Sequence, residues 1–319
     1  MRALAVALCL LGTAAMADVA DVVNDHIRPG YAGFAAATAD LAALDTCDPG
    51  FLQPAFNNAF DAWMGVAHLH LGPVEEQGRV LAIAFWPDPK SLGAKAQRGL
   101  MTGDPAALTP AQFAEQSVAA RGLMGLERLL YPTNPPPADP CPLIHATATD
   151  LARMAAEVNA GWGPFGDLLL TAGQADNTTF LTETEARQAM FTQLATGLEF
   201  LADQRLGRPL GVLDKPRPER AEARASARSL RNVTLSLTAL RDLAATLHPA
   251  SPLTLAAFDR AISLAVRLDD PALQGVTDPQ GRLKIEILQQ AVYAIRDTAL
   301  TEMVPALNVG LGFNALDGD

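Results

Sequence analysis

Glu127 lies in the run Arg121-Gly122-Leu123-Met124-Gly125-Leu126-Glu127-Arg128-Leu129-Leu130-Tyr131. Leu123, Leu126 and Leu130 fall at i, i+3 and i+7, one face of a helix, and Glu127 shares it by lying four residues after Leu123. A carboxylate on a core-facing stripe must be ion-paired, hydrogen-bonded or bound to a cation. Two readings stand: a buried pair with Arg121 or an arginine of another helix, and a ligand at a cleft.

A second set is Asn57, Asp61, Met64 and His68, spaced i, i+4, i+7 and i+11 on an expected helix 54–71. All four can hydrogen-bond or ligate a metal, Met64 only softly. Asp61 and His68 would stand about 10 Å apart along such a helix, so they would line one cleft rather than chelate one ion. A solvated face is the plain alternative, and His70, two residues on, points elsewhere. The third set is basic. Arg220, Arg224 and Arg228 repeat at i, i+4 and i+8 with Arg231 nearby, and call for acidic partner helices or for a bound carboxylate or phosphate. Trp63, Trp86 and Trp162 suit core or anchoring positions.

Several chemistries are missing. The chain has no HExxH, no GxSxG and no GxxxxGK[ST], and no histidine is followed by glutamate three residues later. A formal charge of −11 removes the basic footprint that nucleic-acid binding needs. Residues 1–17 read as a cleavable secretory signal: Arg2, an apolar run Ala3 to Leu11, and Ala15-Met16-Ala17 as the cleavage site. No later stretch approaches a membrane span. A periplasmic address follows. There, Cys47 and Cys141, the two cysteines left after cleavage, are expected to pair; a two-thiolate metal site finds no CxxC or histidine pair to support it.

Alanine and leucine dominate and β-branched alternation is scarce, so the chain reads as all-α. Helices are expected over 19–43, 54–71, 74–85, 110–131, 143–162, 183–205, 219–247, 253–268 and 285–304. The strongest pattern is Leu230, Val233, Leu237, Leu240, Ala244 and Leu247. Trp86-Pro87-Asp88-Pro89 opens an irregular stretch to Thr109. The proline-rich break Pro132 to Pro142 divides a first lobe, 18–140, from a second, 141–319. Gly125-Leu126-Glu127 is echoed by Gly197-Leu198-Glu199, one reading of which is a duplicated four-helix-bundle-like unit.

Four segments resemble the imelysin-like family: Ala62-Trp63 through His68-Leu69-His70-Leu71-Gly72-Pro73 to Phe85-Trp86-Pro87-Asp88; Arg121 to Tyr131; Gly197-Leu198-Glu199 with Arg217-Pro218 and Ser229-Leu230-Arg231-Asn232; and Leu311 to Asp319. The resemblance implies a two-lobed helical bundle in the bacterial cell envelope, an association with iron or other metal acquisition, and a peptidase label. Gly122 and Glu127 match the family's GxHxxE pattern, while Met124 replaces its histidine. Methionine is no general base and a poor ligand for a hard cation, so binding is favoured over catalysis. The expected site is an inter-lobe cleft with Glu127 and His68 as metal ligands and with Asp61, Gly122, Met124, Arg228 and Arg231 lining it. It would take an ion (iron, copper or zinc) or a metal-bearing small molecule, passed to an envelope transport system. A metallopeptidase using Glu127 and a non-catalytic envelope scaffold are the alternatives.

Overall fold

The computed structural model describes residues 19–310. The expected signal, 1–17, and the C-terminal segment 311–319 lie outside the described residues. Among the described residues the regular structure is helical, with no strand and one isolated bridge between Val212 and Lys215.

Helix α1 covers residues 19–42 and contains a π-helical stretch, Val22–Ile27. Val23, Ile27, Tyr31, Phe34, Thr38 and Leu41 recur at helical spacing and are all buried. Helix α2, Pro49–Met64, begins where the Asp48 side chain accepts a hydrogen bond from the Gly50 N–H and Pro49 occupies the first turn. Short helices follow: α3 (Arg79–Ile83), α4 (Leu92–Thr102), α5 (Pro110–Ala114) and α6 (Gly122–Leu130). Helix α7, Cys141–Leu170, packs most extensively on α1, and Trp162 stacks on Tyr31 with ring centroids 5.5 Å apart. Helix α8 covers 183–210 and contains a second π-helical stretch, Leu201–Leu206. Helices α9 (Ser229–Leu247), α10 (Pro252–Val266) and α11 (Pro279–Leu307) pack with α8 as a second bundle. The bundles meet where α9 touches the π-helical stretch of α1 and the flank of α2.

Cys47 and Cys141 form a disulfide that ties the α1–α2 loop to the first turn of α7. The division expected at residue 140 falls inside the packing of the first bundle, because α7 lies on α1.

Three helix expectations need correction. The stretch 219–228 is not part of α9. Ala223 and Ala227 have φ of 49° and 55°, and the Arg228 N–H donates to the Ala223 carbonyl, so the chain turns before Ser229. Arg220, Arg224 and Arg228 therefore form no helical stripe. Helix α2 stops at Met64, which leaves His68 beyond its end. The expected 110–131 helix is broken between α5 and α6, whereas the stretch after Trp86 gains α4.

Candidate functional site

Helix α6 starts against the end of α3, and only glycine permits it. Gly122 has φ +63°, and a Cβ there would stand 2.2 Å from the Ala82 carbonyl oxygen and 2.3 Å from that of Ile83. Arg121, just before it, does not reach Glu127. Its guanidinium is bound by Asp150, Nε to Oδ2 at 2.7 Å. Met124 is buried.

Glu127 is 4% exposed, and its hydrogen bonds come from an unexpected source. Oε1 accepts from the Ser226 N–H at 2.9 Å and from the Ser226 hydroxyl at 2.8 Å. The 221–228 turn thus brings a backbone N–H and a hydroxyl to this carboxylate. Burial raises the Glu127 pKa; the Ser226 bonds and nearby Arg128 oppose the rise, and Glu222 adds to it. The ion-pair reading of Glu127 is replaced by a serine-bound carboxyl.

Asp61 is the carboxylate that takes the arginines. Arg228 and Arg231 both bind it, with Arg231 Nε to Oδ1 at 2.8 Å, and Arg228 also donates to Asn57 Oδ1 at 2.9 Å. Asn57 and Asp61 do share a helix face, as their spacing requires. Burial alone would raise the Asp61 carboxyl, but hydrogen bonds from Arg231 and Arg228 outweigh it and hold the group below its usual range. Met64 faces Arg205 instead.

His68 meets a residue that the spacing could not indicate. Its Nε2 lies 3.0 Å from Nε2 of His26, which projects from the π-helical stretch of α1. His68 is buried and its Nδ1 has no hydrogen-bond partner. Burial pushes the His68 pKa well below the usual imidazole value, and the charges of His26, His70 and Arg205 push the same way; burial lowers His26 to about 4. Both rings are therefore neutral near pH 7.

Arg205 comes from the other π-helical stretch. It donates through Nε to Glu222 Oε2 at 2.8 Å and through a terminal nitrogen to Ser236 Oγ at 3.1 Å, and Asn232 donates to the same Glu222 oxygen at 3.0 Å. A polar layer thus runs between the bundles, from His26 and His68 through Arg205 and Glu222 to Glu127 and Ser226. π-Helical turns displace one residue from the regular register, and here they aim His26 and Arg205 inward.

Glu127 and His68 belong to one layer, but among the described residues Glu127 does not join the His26–His68 pair in a three-ligand cluster. Among the described residues, the place where three His, Cys, Asp or Glu ligand atoms lie within 4.8 Å of one another is Cys47, Cys141 and His145. Beside the histidine pair, a cleft of about 600 Å³ opens between α1, α2 and α9; the charged groups lining it are Asp25, Asp61 and Asp242, with His26 at its wall. Burial raises the Asp242 pKa. Asp61 is already paired with Arg228 and Arg231, so Asp25 and Asp242 are the carboxylates left to favour a cation here.

The Imelysin family model matches residues 27–299. The chain belongs to the imelysin family. Iron-regulated protein A of Synechococcus elongatus is 23% identical over 312 aligned positions, covering 89% of this chain and 84% of that one. The crystal structure of an imelysin-like protein from Psychrobacter arcticum 273-4 matches with a TM-score of 0.75 at 20% identity, covering 92% of this chain and 96% of that one. A putative iron-regulated protein A precursor from Parabacteroides distasonis matches with a TM-score of 0.59 at 13% identity, covering 88% and 93%. These likenesses agree with the imelysin-like helical fold. Relative to the family's GxHxxE pattern, the turn that carries Gly122 and Glu127 is built, but a thioether stands at position 124 where the imidazole would be. Among the described residues no helix is long and apolar enough to cross a membrane.

Proposed function

We propose that this imelysin-family protein binds a metal ion, or a small molecule carrying one, at the wall of the acidic cleft, with His26 and His68 as paired ligands. The observation that carries the proposal is the Nε2–Nε2 separation of 3.0 Å. Two imidazole nitrogens bound to one ion at 2.0–2.1 Å and subtending 90–110° stand about 2.9–3.4 Å apart. As the rings stand, one Nε2–H donates to the other Nε2. The depressed pKa values keep both rings neutral at pH 7, so binding requires that proton to move to the Nδ1 of its ring, which frees both Nε2 lone pairs. Among the described residues no carboxylate completes a three-ligand cluster with the pair, so a metal-bearing ligand or water supplies the remaining positions, and a histidine pair with oxygen donors suits Fe(II). The names of the relatives support an iron-related role.

The motif residues fit a metal poorly. Met124 offers only a soft thioether, and Glu127 Oε1 is engaged by Ser226. Glu127 thus positions the 221–228 turn, which delivers Glu222 to Arg205 and Arg228 to Asp61. The signal-like residues 1–17 and the precursor wording for the Parabacteroides relative support a role in the bacterial periplasm, passing metal to an envelope transport system.

Calorimetric titration with Fe(II), Zn(II) and Cu(I) tests the proposal. Saturable binding is expected in the wild type and in Glu127→Gln, and lost in His26→Gln/His68→Gln. Binding lost in Glu127→Gln but kept in the histidine variant would return the site to Glu127. One observation favours a metallopeptidase: a buried carboxyl with a raised pKa is a general-base candidate. Chelator-sensitive proteolysis by purified protein, abolished in Glu127→Gln, would establish that reading.

A further inference from the structure

The disulfide has a third partner. His145 Nε2 lies 3.3 Å from Cys47 Sγ, and the ligand atoms of Cys47, Cys141 and His145 all lie within 4.8 Å of one another. Cys141 occupies the first position of α7 and His145 follows four residues later, so the helix holds both on one face, while Cys47 approaches from the α1–α2 loop. All three residues are half-buried, within reach of a reagent from solution.

We propose that Cys47, Cys141 and His145 form a redox-gated metal site: closed as the disulfide, and a dithiolate–imidazole site for a borderline or soft ion, Zn(II) or Cu(I), once reduced. The sulfur–nitrogen dimension agrees, while the two sulfurs, bonded to each other in the disulfide, must separate to about 3.8 Å once reduced. In a tetrahedral site with a metal–sulfur bond near 2.3 Å and a metal–nitrogen bond near 2.05 Å, the sulfur–nitrogen edge is about 3.5 Å, close to the separation already present. Three protein ligands leave a fourth position open on the half-exposed side. That is the geometry of a site that exchanges ligands or metal rather than of a closed structural one. The N-terminus of a 30-residue helix also favours the negative charge that a Cys141 thiolate brings.

Opening needs a reductant, and a dithiol supplies it. Its thiolate attacks Cys141 Sγ, the Cys47–Cys141 bond breaks, and the electron pair leaves with Cys47 Sγ beside His145 Nε2. The second thiol of the reductant then attacks its own sulfur in the mixed disulfide and releases Cys141 as thiolate, so the dithiol ends as a disulfide and the protein gains two electrons. Binding of Zn(II) leaves both sulfurs deprotonated, with two protons passed to solvent. This site is separate from the His26–His68 pair and does not depend on it.

The test uses the mature chain carrying His26→Gln/His68→Gln, so that only the cysteine site is read. Oxidised protein and protein reduced with a phosphine are titrated with Co(II) as a spectroscopic probe, followed by Zn(II) competition. The expected result is thiolate-to-cobalt charge-transfer absorption at one equivalent in the reduced protein alone, displaced by Zn(II). His145→Ala, which keeps both thiols, should weaken binding at least tenfold, since a direct ligand matters no less than the groups that orient one. Alkylating the reduced thiols should abolish the signal, with circular dichroism confirming that the helices persist. Equal binding by oxidised and reduced protein, or an affinity unchanged by His145→Ala, would overturn the proposal.

Discussion

Acid should weaken this fold through its histidine pair. His26 titrates at about 4 in the folded chain against 6.5 for an unhindered imidazole, because burial disfavours its charged form. Between those values the unfolded chain binds the extra proton and the folded one does not. Stability therefore rises with pH through that window, is complete above 6.5 and is lost by about pH 4. The difference between the two values amounts to about 3 kcal/mol for His26 alone, of which about 2–3 kcal/mol falls between pH 7 and pH 4.5. His68 is shifted in the same direction and adds to the loss. The neighbouring carboxyls act in both directions and are common to the wild type and the variant compared below. Asp61 is held low, so its contribution persists until pH falls below the usual carboxylate range. Glu127 is shifted upward, so its protonation on acidification acts with the opposite sign. Urea unfolding midpoints at half-unit steps from pH 7.5 to 4.5 should fall steeply in the wild type and much less in His26→Gln/His68→Gln. Equal slopes in the two proteins would refute the reasoning, since the buried neutral pair would then not be the source of the dependence.

Three further perturbations address the elements around the layer. Asp61→Asn leaves Arg228, whose side chain is 3% exposed, without its carboxylate; a loss of about 2–3 kcal/mol is expected in chemical denaturation, below the usual 3–5 because Asp61 is itself 24% exposed. Gly122→Ala forces a Cβ to within 2.3 Å of two carbonyl oxygens at a positive φ, and should cost at least about 3 kcal/mol or prevent soluble expression. Cys47→Ser/Cys141→Ser opens a tether across 94 residues, and chain entropy gives about 4–5 kcal/mol, measurable as a lowered urea midpoint relative to the oxidised wild type.

The all-helical fold was legible because the apolar periodicity of α7, α9 and α11 is long, and that of α1 is interrupted by its π-helical stretch alone. Boundaries were less so. The helix expected from 219 fails at Ala223 and Ala227, two residues of high helix propensity that adopt left-handed backbone because the turn satisfies the buried Glu127. The apolar-face argument for Glu127 gave its burial but not its partner, since a backbone N–H and a serine 99 residues away leave no mark in local spacing. Asp61, Arg228 and Arg231 were each visible as charges, and the fold joins them. His26 and Arg205 were missed because both project from π-helical turns, which shift the face that a regular 3.6-residue period assigns. A signal for the cysteine site was present in the i, i+4 spacing of Cys141 and His145, masked by the remoteness of Cys47.

Metal-edge anomalous diffraction from crystals of the demetallated protein soaked with Fe(II) would decide the proposed function most directly. The expected result is a single strong peak within about 2.0–2.2 Å of both His26 Nε2 and His68 Nε2, absent in His26→Gln/His68→Gln. A peak at Glu127 and Met124, or no peak in the cleft at saturating iron, would contradict the proposal.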